Sequence, residues 1–246
     1  MNELEYYNKV GVVNGWDFSK LQVEAEGVKW DFYHEVNKES ETSDILLDIG
    51  TGGGENIINM APLKLFLVGI DFSMGMLETA KANLKKSKVK NVRFSHMSSE
   101  HLQFPTGFFD VISACHAPFT STEVAKVLKD NGLFFTQQVS EADKLNLKKA
   151  FRRGQSFGEV DGTLKKKYIK ELYESGFTKV NSFEYDAVEY YKRTEDLVFL
   201  LKHTPIIPDF GSRERDIEIL NDFIQNNQTE KGICTNSKRF LIIANK

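Results

Sequence analysis

Four glycines in five residues, at positions 50–54, follow directly on the apolar stretch Ile45-Leu46-Leu47-Asp48-Ile49. A short apolar run of this kind suits a strand buried on both faces. Glycines at its end let the backbone turn sharply and approach a ligand with no Cβ in the way. Three ligand classes use such loops. A nucleoside triphosphate needs Gly-x-x-x-x-Gly-Lys-Ser/Thr, and no lysine stands here. A dinucleotide needs Gly-x-Gly-x-x-Gly, but counted from Gly50 the third glycine position is Glu55. That carboxylate would oppose a pyrophosphate at the start of the next helix. The third class is a nucleoside that carries a cationic sulfonium and an amino acid end but no phosphate, and it tolerates acids around the loop. Asp48, two residues before Gly50, is placed to attract an ammonium group. Asp71 follows Gly50 by 21 residues, the spacing at which a carboxylate accepts hydrogen bonds from a ribose diol. Taken singly, either acid is equally well explained as a strand-end carboxylate satisfied by turn N–H groups.

The neighbouring pattern extends the loop into a fold. Residues 65–71 form a second apolar run. Residues 74–86 carry Met76, Leu77, Ala80 and Leu84 at helical spacing, with lysines at the end where the helix dipole favours cations. Strands are predicted at 92–94, 109–114 and 133–136, and a helix over 121–129 stopped by Asn131-Gly132. Strands alternating with helices predict an α/β, mostly parallel sheet with ligands at the carboxyl ends of its strands. Further on, helices are predicted at 165–175, 195–202 and 213–225, with a strand over 180–185. The β-branched run at 239–244 reads as a last strand, pairing antiparallel at an edge of the sheet. Residues 1–44 read as helical turns broken at Gly11, Gly15 and Gly27, which makes them an N-terminal helical cap on a core of residues 45–246. An insertion at about 192–232 precedes the last strand.

Charge excludes some functions. The chain has 246 residues with a net charge of −3, against the strongly basic balance of a domain that grips nucleic acid. Residues 1–44 hold ten acids and four bases, whereas residues 141–170 hold nine bases and four acids. The start lacks the apolar run of a secretory signal, and no stretch reaches the length of a membrane span. Two cysteines, Cys115 and Cys234, make no disulfide framework. A cytoplasmic location is the expectation, and no metal is implied.

At this point the residues carry a resemblance. Asp48-Ile49-Gly50-Thr51-Gly52-Gly53-Gly54 resembles the first motif of class I S-adenosylmethionine-dependent methyltransferases. Gly69-Ile70-Asp71-Phe72-Ser73, followed by Met76-Leu77-Ala80, is similar to the second motif and its helix. Residues 102–111 and 123–132 resemble the stretches that lead into the fourth and fifth strands. The match runs over roughly residues 45 to 139, and in subtype it looks like the small-molecule branch that includes quinone-biosynthesis enzymes. The resemblance implies a Rossmann-like fold with a seven-stranded mostly parallel sheet, one antiparallel edge strand and helices on both faces. It implies S-adenosyl-L-methionine as cofactor and S-adenosyl-L-homocysteine as product. The implied cofactor residues are Asp48, Gly50, Thr51, Gly52, Gly54 and Asp71, with Phe72 or Met76 as an apolar wall for the adenine. Where the family often has Asp-Ala facing the adenine amino group, this chain has Ser98-Ser99, with Glu100 as a possible substitute.

Methyl transfer from a sulfonium is an in-line displacement, so alignment and exclusion of water supply much of the acceleration. A base is needed only when the acceptor must lose a proton. His116, directly after the fourth strand, is the candidate; a histidine capping the strand end is the simpler explanation. Cys115 reads as a buried strand residue. Acceptor selection is expected from Tyr6, Tyr7, Trp16, Phe18, Trp30 and Phe32 and from residues 204–210, two or three of the aromatics lining a pocket for a small, partly apolar molecule. Three rivals stand beside this. The basic 144–170 stretch offers an RNA or protein acceptor, although a charge run is usually a solvated face. A nucleoside-binding module without turnover is the second, and a nicotinamide oxidoreductase, disfavoured at Glu55, is the third. Monomer and homodimer are both compatible with the sequence.

Overall fold

The computed structural model describes residues 20–246. Tyr6, Tyr7, Gly11, Gly15, Trp16 and Phe18, named above as candidates or breaks, lie outside these residues. Nine strands form one sheet: β1 (Val23–Glu26), β2 (Ile45–Ile49), β3 (Phe66–Asp71), β4 (Val92–His96), β5 (Phe109–Cys115), β6 (Leu128–Val139), β7 (Lys179–Tyr191), β8 (Gln228–Thr229) and β9 (Gly232–Asn245). The helices are α1 (Phe32–Lys38), α2 (Glu55–Met60), α3 (Met74–Lys86), α4 (Ser121–Val127), α5 (Leu145–Phe151), α6 (Thr163–Glu174), α7 (Thr194–His203) and α8 (Asp216–Asn227). Strand order is β1-β7-β9-β6-β5-β2-β3-β4, with β8 paired to β9.

The pairs β2/β3, β3/β4, β2/β5 and β5/β6 are parallel, as the βαβ alternation predicts. From β2 the chain runs outward through β3 and β4, then returns to β2's other side for β5 and β6. That reversal opens a crevice above the carboxyl end of β2, where ligands bind in such sheets. Successive strand residues face opposite ways, so Leu47 and Ile49 enter one core with Ile112, Phe134 and the α6 residues Tyr168 and Leu172. Leu46 enters the other, with Phe32, Val36, Ile57, Val111 and Phe135. Helix α3 occupies the predicted residues; Ser73 caps it by accepting from the Met76 N–H at 3.2 Å, and Lys85 and Lys86 lie in its last turn.

Three expectations change. The sheet has nine strands where seven were expected, because β1 and the short β8 are added. The last strand does run antiparallel, but it lies between β6 and β7, each of which it pairs over its full overlap. The antiparallel edge strand is instead β1, paired to β7 at residues 188–191. Residues 20–44 are therefore not purely helical. They contribute an exposed edge strand as well as α1, whose N-cap Asp31 accepts from the His34 N–H at 2.8 Å. Between β7 and β9, helices α7 and α8 bury Leu197, Leu200, Leu201, Leu220 and Phe223 with Leu147 and Phe151 of α5. Ile206 and Ile207 are buried in that satellite core, and Phe210 packs edge-on to Phe151 at 5.9 Å. This part of residues 204–210 thus packs the insertion.

Candidate active site

The glycine loop is built by hydrogen bonds from both of its ends. The Gly50 and Thr51 N–H groups both donate to the Ile70 carbonyl, at 2.9 and 3.0 Å, tying the loop to the end of β3. Gly54 N–H closes a turn on the Thr51 carbonyl at 3.0 Å. Gly50 has φ +71°, and a Cβ there would stand 2.3 Å from the Cβ of Ala117. Both the backbone sign and the missing space require glycine. G50A is expected to lower stability by about 2 kcal/mol or more; an unchanged urea midpoint would contradict the tight fit.

Two carboxylates border this loop. Asp48 is buried, and its Oδ1 accepts from Ser113 Oγ at 2.6 Å and from Tyr33 Oη at 3.4 Å. Its Oδ2 is buried with no hydrogen-bond partner. Burial raises the Asp48 pKa to about 6, against the pull of its hydroxyl donors. Asp71 accepts from Gly52 N–H at 2.9 Å through Oδ2 and from Ser73 N–H at 2.8 Å through Oδ1. Burial raises its pKa too, those backbone N–H groups acting the other way. Asp71 therefore shapes the loop as well as facing it.

Glu55 explains why a phosphate does not belong here. Its carboxylate lies against Gly53, where a Cβ would come within 2.3 Å of Oε1, and it accepts from Asn83 Nδ2 at 3.0 Å. The acid thus fills the α2 N-terminus that a pyrophosphate would require.

The other sequence candidates separate. Phe72 is exposed and stacks against His96 at 6.1 Å, an available apolar surface beside Asp71. Met76 is buried in the first turn of α3. Ser98, Ser99 and Glu100 follow β4, and Ser98 Oγ accepts from the Glu100 N–H at 3.2 Å. His116 sits after β5 in a left-handed conformation, φ 54°, its N–H donating to the Gln137 carbonyl at 2.8 Å. Burial and the nearby Arg239 push its imidazole pKa down to about 3, so the ring is neutral at physiological pH. Trp30 Nε1 donates to Gln137 Oε1 at 2.7 Å, which turns the Gln137 amide nitrogen toward His116 Nε2 at 3.1 Å. That nitrogen accepts, and the ring proton is on Nδ1. Cys115 is held as a thiol, its pKa pushed to about 12 by burial, and both cysteines are free. Phe32 is core, whereas Trp30 reaches the site.

Sequence reasoning did not find Tyr33, Ser113 or Gln137. Ser113 is two residues before Cys115 on the strand beside β2, so strand register was the available signal.

Residues 46–132 match the model of a family described as a methyltransferase domain. The chain is 35% identical over 96 residues to the uncharacterised methyltransferase YcgJ of Bacillus subtilis, 36% of this chain and 38% of that protein. The crystal structure of YcgJ superposes with a TM-score of 0.60 at 21% identity, covering 87% of this chain and 97% of the other. Residues 46–132 are thus similar to a methyltransferase domain, and the fold is that of the Rossmann-like methyltransferases. The chain is also 30% identical over 166 residues to the uncharacterised protein MJ1252 of Methanocaldococcus jannaschii, 65% of this chain and 62% of that one. A third relative is the mitochondrial ubiquinone biosynthesis O-methyltransferase of Schizosaccharomyces pombe, 32% identical over 120 residues, 46% of this chain and 43% of that one. In sequence the chain thus spans between 38% and 62% of these relatives' lengths.

The residues present fit the family's cofactor. A buried carboxylate oxygen with no donor, Asp48 Oδ2, calls for a cation, and a phosphate-free ligand is what Glu55 permits. Four of the nine bases in the stretch 144–170 turn to internal partners, and the other five, Lys149, Arg152, Lys166, Lys167 and Lys170, are exposed. Lys144 pairs with Glu189 at 2.7 Å, Arg153 holds Asp216 through two nitrogens at 3.0 Å, Lys165 pairs with Glu184, and Lys148 donates to two carbonyls. No helix among the described residues is long and apolar enough to cross a membrane.

Proposed function

We propose that this protein transfers a methyl group to a small, partly apolar acceptor held on the carboxyl edge of β5 and β6. The observation that carries the reading is Asp48 Oδ2, a buried anion without a donor under a glycine loop that rejects phosphate. When bound, S-adenosylmethionine supplies an electrophilic methyl on a sulfonium. Asp48, Gly50, Thr51, Gly52 and Gly54 would hold its amino acid end and Asp71 its ribose. Phe72 and Met76 would flank the adenine, with Ser98, Ser99 or Glu100 facing its amino group.

The chain's own groups then have defined tasks. Trp30 and Tyr33 would cover the crevice and exclude water, Trp30 being tied to Gln137 and Tyr33 to Asp48. His116 is a positioning donor through Nδ1–H rather than a strong base, because its Nε2 lone pair faces Gln137 and its pKa is about 3. The S. pombe relative is an O-methyltransferase of ubiquinone biosynthesis, which supports a small-molecule acceptor. An RNA acceptor loses part of its support because Lys144, Arg153 and Lys165 of the basic stretch are engaged in internal pairs.

Binding tests this directly. S-adenosylhomocysteine at 100 times its dissociation constant is expected to add about 2.7 kcal/mol of stability, and NAD none. Stabilisation by NAD alone would overturn the assignment. Release of S-adenosylhomocysteine from labelled cofactor with pooled small acceptors distinguishes an enzyme from a silent nucleoside-binding module.

A further inference from the structure

We infer that Arg239 is the anchor for a carboxylate on the methyl acceptor. This rests on the methyltransferase reading above and names its substrate class, a small planar acid.

Arg239 lies on β9, opposite Val139 of β6 and Tyr185 of β7. Residues opposite each other in a sheet share a face, and steps of two keep it. Gln137, Tyr185 and Arg239 therefore project from one face near the carboxyl end of β6. Trp30 joins that group: its ring stands 4.6 Å from the Tyr185 ring while its Nε1 bonds Gln137. Two strand spacings, about 10 Å, separate β9 from β5, the strand that ends at His116.

The simpler account is that Arg239 only neutralises the buried Asp143. Its hydrogen bonds argue against that. Arg153, Arg193 and Arg215 each pair a carboxylate through two nitrogens. Arg239 uses one: Nη1 donates to both Asp143 and the Lys238 carbonyl. Asp143 takes its other donor from the Lys238 N–H at 2.9 Å. The Nε–Nη2 edge of Arg239 makes no hydrogen bond among the described residues, neither nitrogen is sealed inside the protein, and 15% of the side chain is accessible.

An open guanidinium edge presents two parallel N–H groups, the geometry that a planar two-oxygen anion matches. Asp143 fixes the guanidinium from behind, so little freedom is lost on binding. The Trp30–Tyr185 pair offers an aromatic surface beside it, suited to a flat ring. An acceptor that places its carboxylate on Arg239 and extends toward β5 would bring its far end to His116.

Benzoate and benzamide, the same ring with and without the anion, test the proposal on the full chain saturated with S-adenosylhomocysteine. By calorimetry or ligand-observed NMR, benzoate is expected to bind at least about tenfold more tightly than benzamide. R239Q should remove that preference while S-adenosylhomocysteine affinity stays within about twofold. R239K, which keeps the charge beside Asp143 but loses the fork, should weaken benzoate by about fivefold or more. Equal binding of the two probes, no benzoate binding, or unchanged benzoate affinity in R239K would each overturn it. If R239Q fails to fold, the wild-type comparison and R239K decide. Failure of S-adenosylhomocysteine to bind would strike the methyltransferase reading instead; benzoate binding to the free protein still tests Arg239.

Discussion

Asp48→Asn is expected to make the protein more stable at neutral pH and a worse binder of S-adenosylmethionine. Burial raises the Asp48 pKa from 3.8 to about 6, so between those values the folded protein keeps a proton that the unfolded chain has released. The contribution of this group to stability is therefore most favourable below pH 3.8 and declines as pH rises to 6. Above pH 6 the full penalty of a buried, half-partnered charge applies, about 3 kcal/mol at about 1.4 kcal/mol per pKa unit. The neutral amide keeps an acceptor for Ser113 and Tyr33 and removes the charge. Because its NH2 then occupies the position of the unpartnered oxygen, the net gain at pH 7 should be smaller, about 1 to 2 kcal/mol. It should vanish near pH 4. Urea unfolding at pH 4, 5.5 and 7 measures this; a D48N protein less stable than wild type at pH 7 would refute the account. In the same variant, loss of the carboxylate proposed to face the ligand's ammonium should weaken S-adenosylhomocysteine about 10- to 100-fold. Wild-type affinity should itself fall about tenfold per unit below pH 6, since protonated Asp48 no longer attracts a cation.

Asp71→Ala combines two losses that the wild-type carboxylate unites. Its oxygens are the acceptors for Gly52 N–H and Ser73 N–H, which the substitution leaves without partners. Each uncompensated N–H costs about 1 kcal/mol or more, so a drop of about 2 kcal/mol is expected in addition to a cofactor affinity at least about 100-fold lower. D71N separates the effects. One amide oxygen still accepts from the loop, so about half the stability returns, whereas the ribose diol loses its anionic acceptor and affinity stays low. Cofactor affinity in D71N equal to wild type would show that Asp71 serves the loop alone.

How much of this was legible in the residues depends on the distance over which each feature is encoded. The α3 helix, the strand before the glycine loop and the two strand-end acids were readable because period, cap and turn chemistry act within a few residues. The length of β7 and β9 was not. Polar residues such as the exposed Asn181 and Ser182 in β7 and the half-buried Asn236 in β9 break the apolar run, and only the pairing of the two strands with each other makes them strand. The cap was misjudged for the same reason: Val23–Glu26 is a strand because β7 offers it an edge. Charge told least. The nine bases of residues 141–170 suggested a surface for polyanions, yet Lys144, Lys148 and Arg153 point inward to partners as distant in sequence as Glu189 and Asp216.

By itself the sequence narrowed the class of ligand, since Glu55 and the missing lysine disfavour phosphate and the pair Asp48 and Asp71 suits a cationic nucleoside. Such preferences need only the chemistry of one loop. Only the tertiary structure decided what each of these groups faces. It left Asp48 Oδ2 without a donor, made Asp71 part of the loop's own scaffold and turned the His116 ring toward Gln137. Those outcomes depend on residues tens of positions away meeting across adjacent strands, Ser113 beside Asp48 and Gln137 beside Cys115. Strand order brings them together, and strand order is a property of the whole sheet.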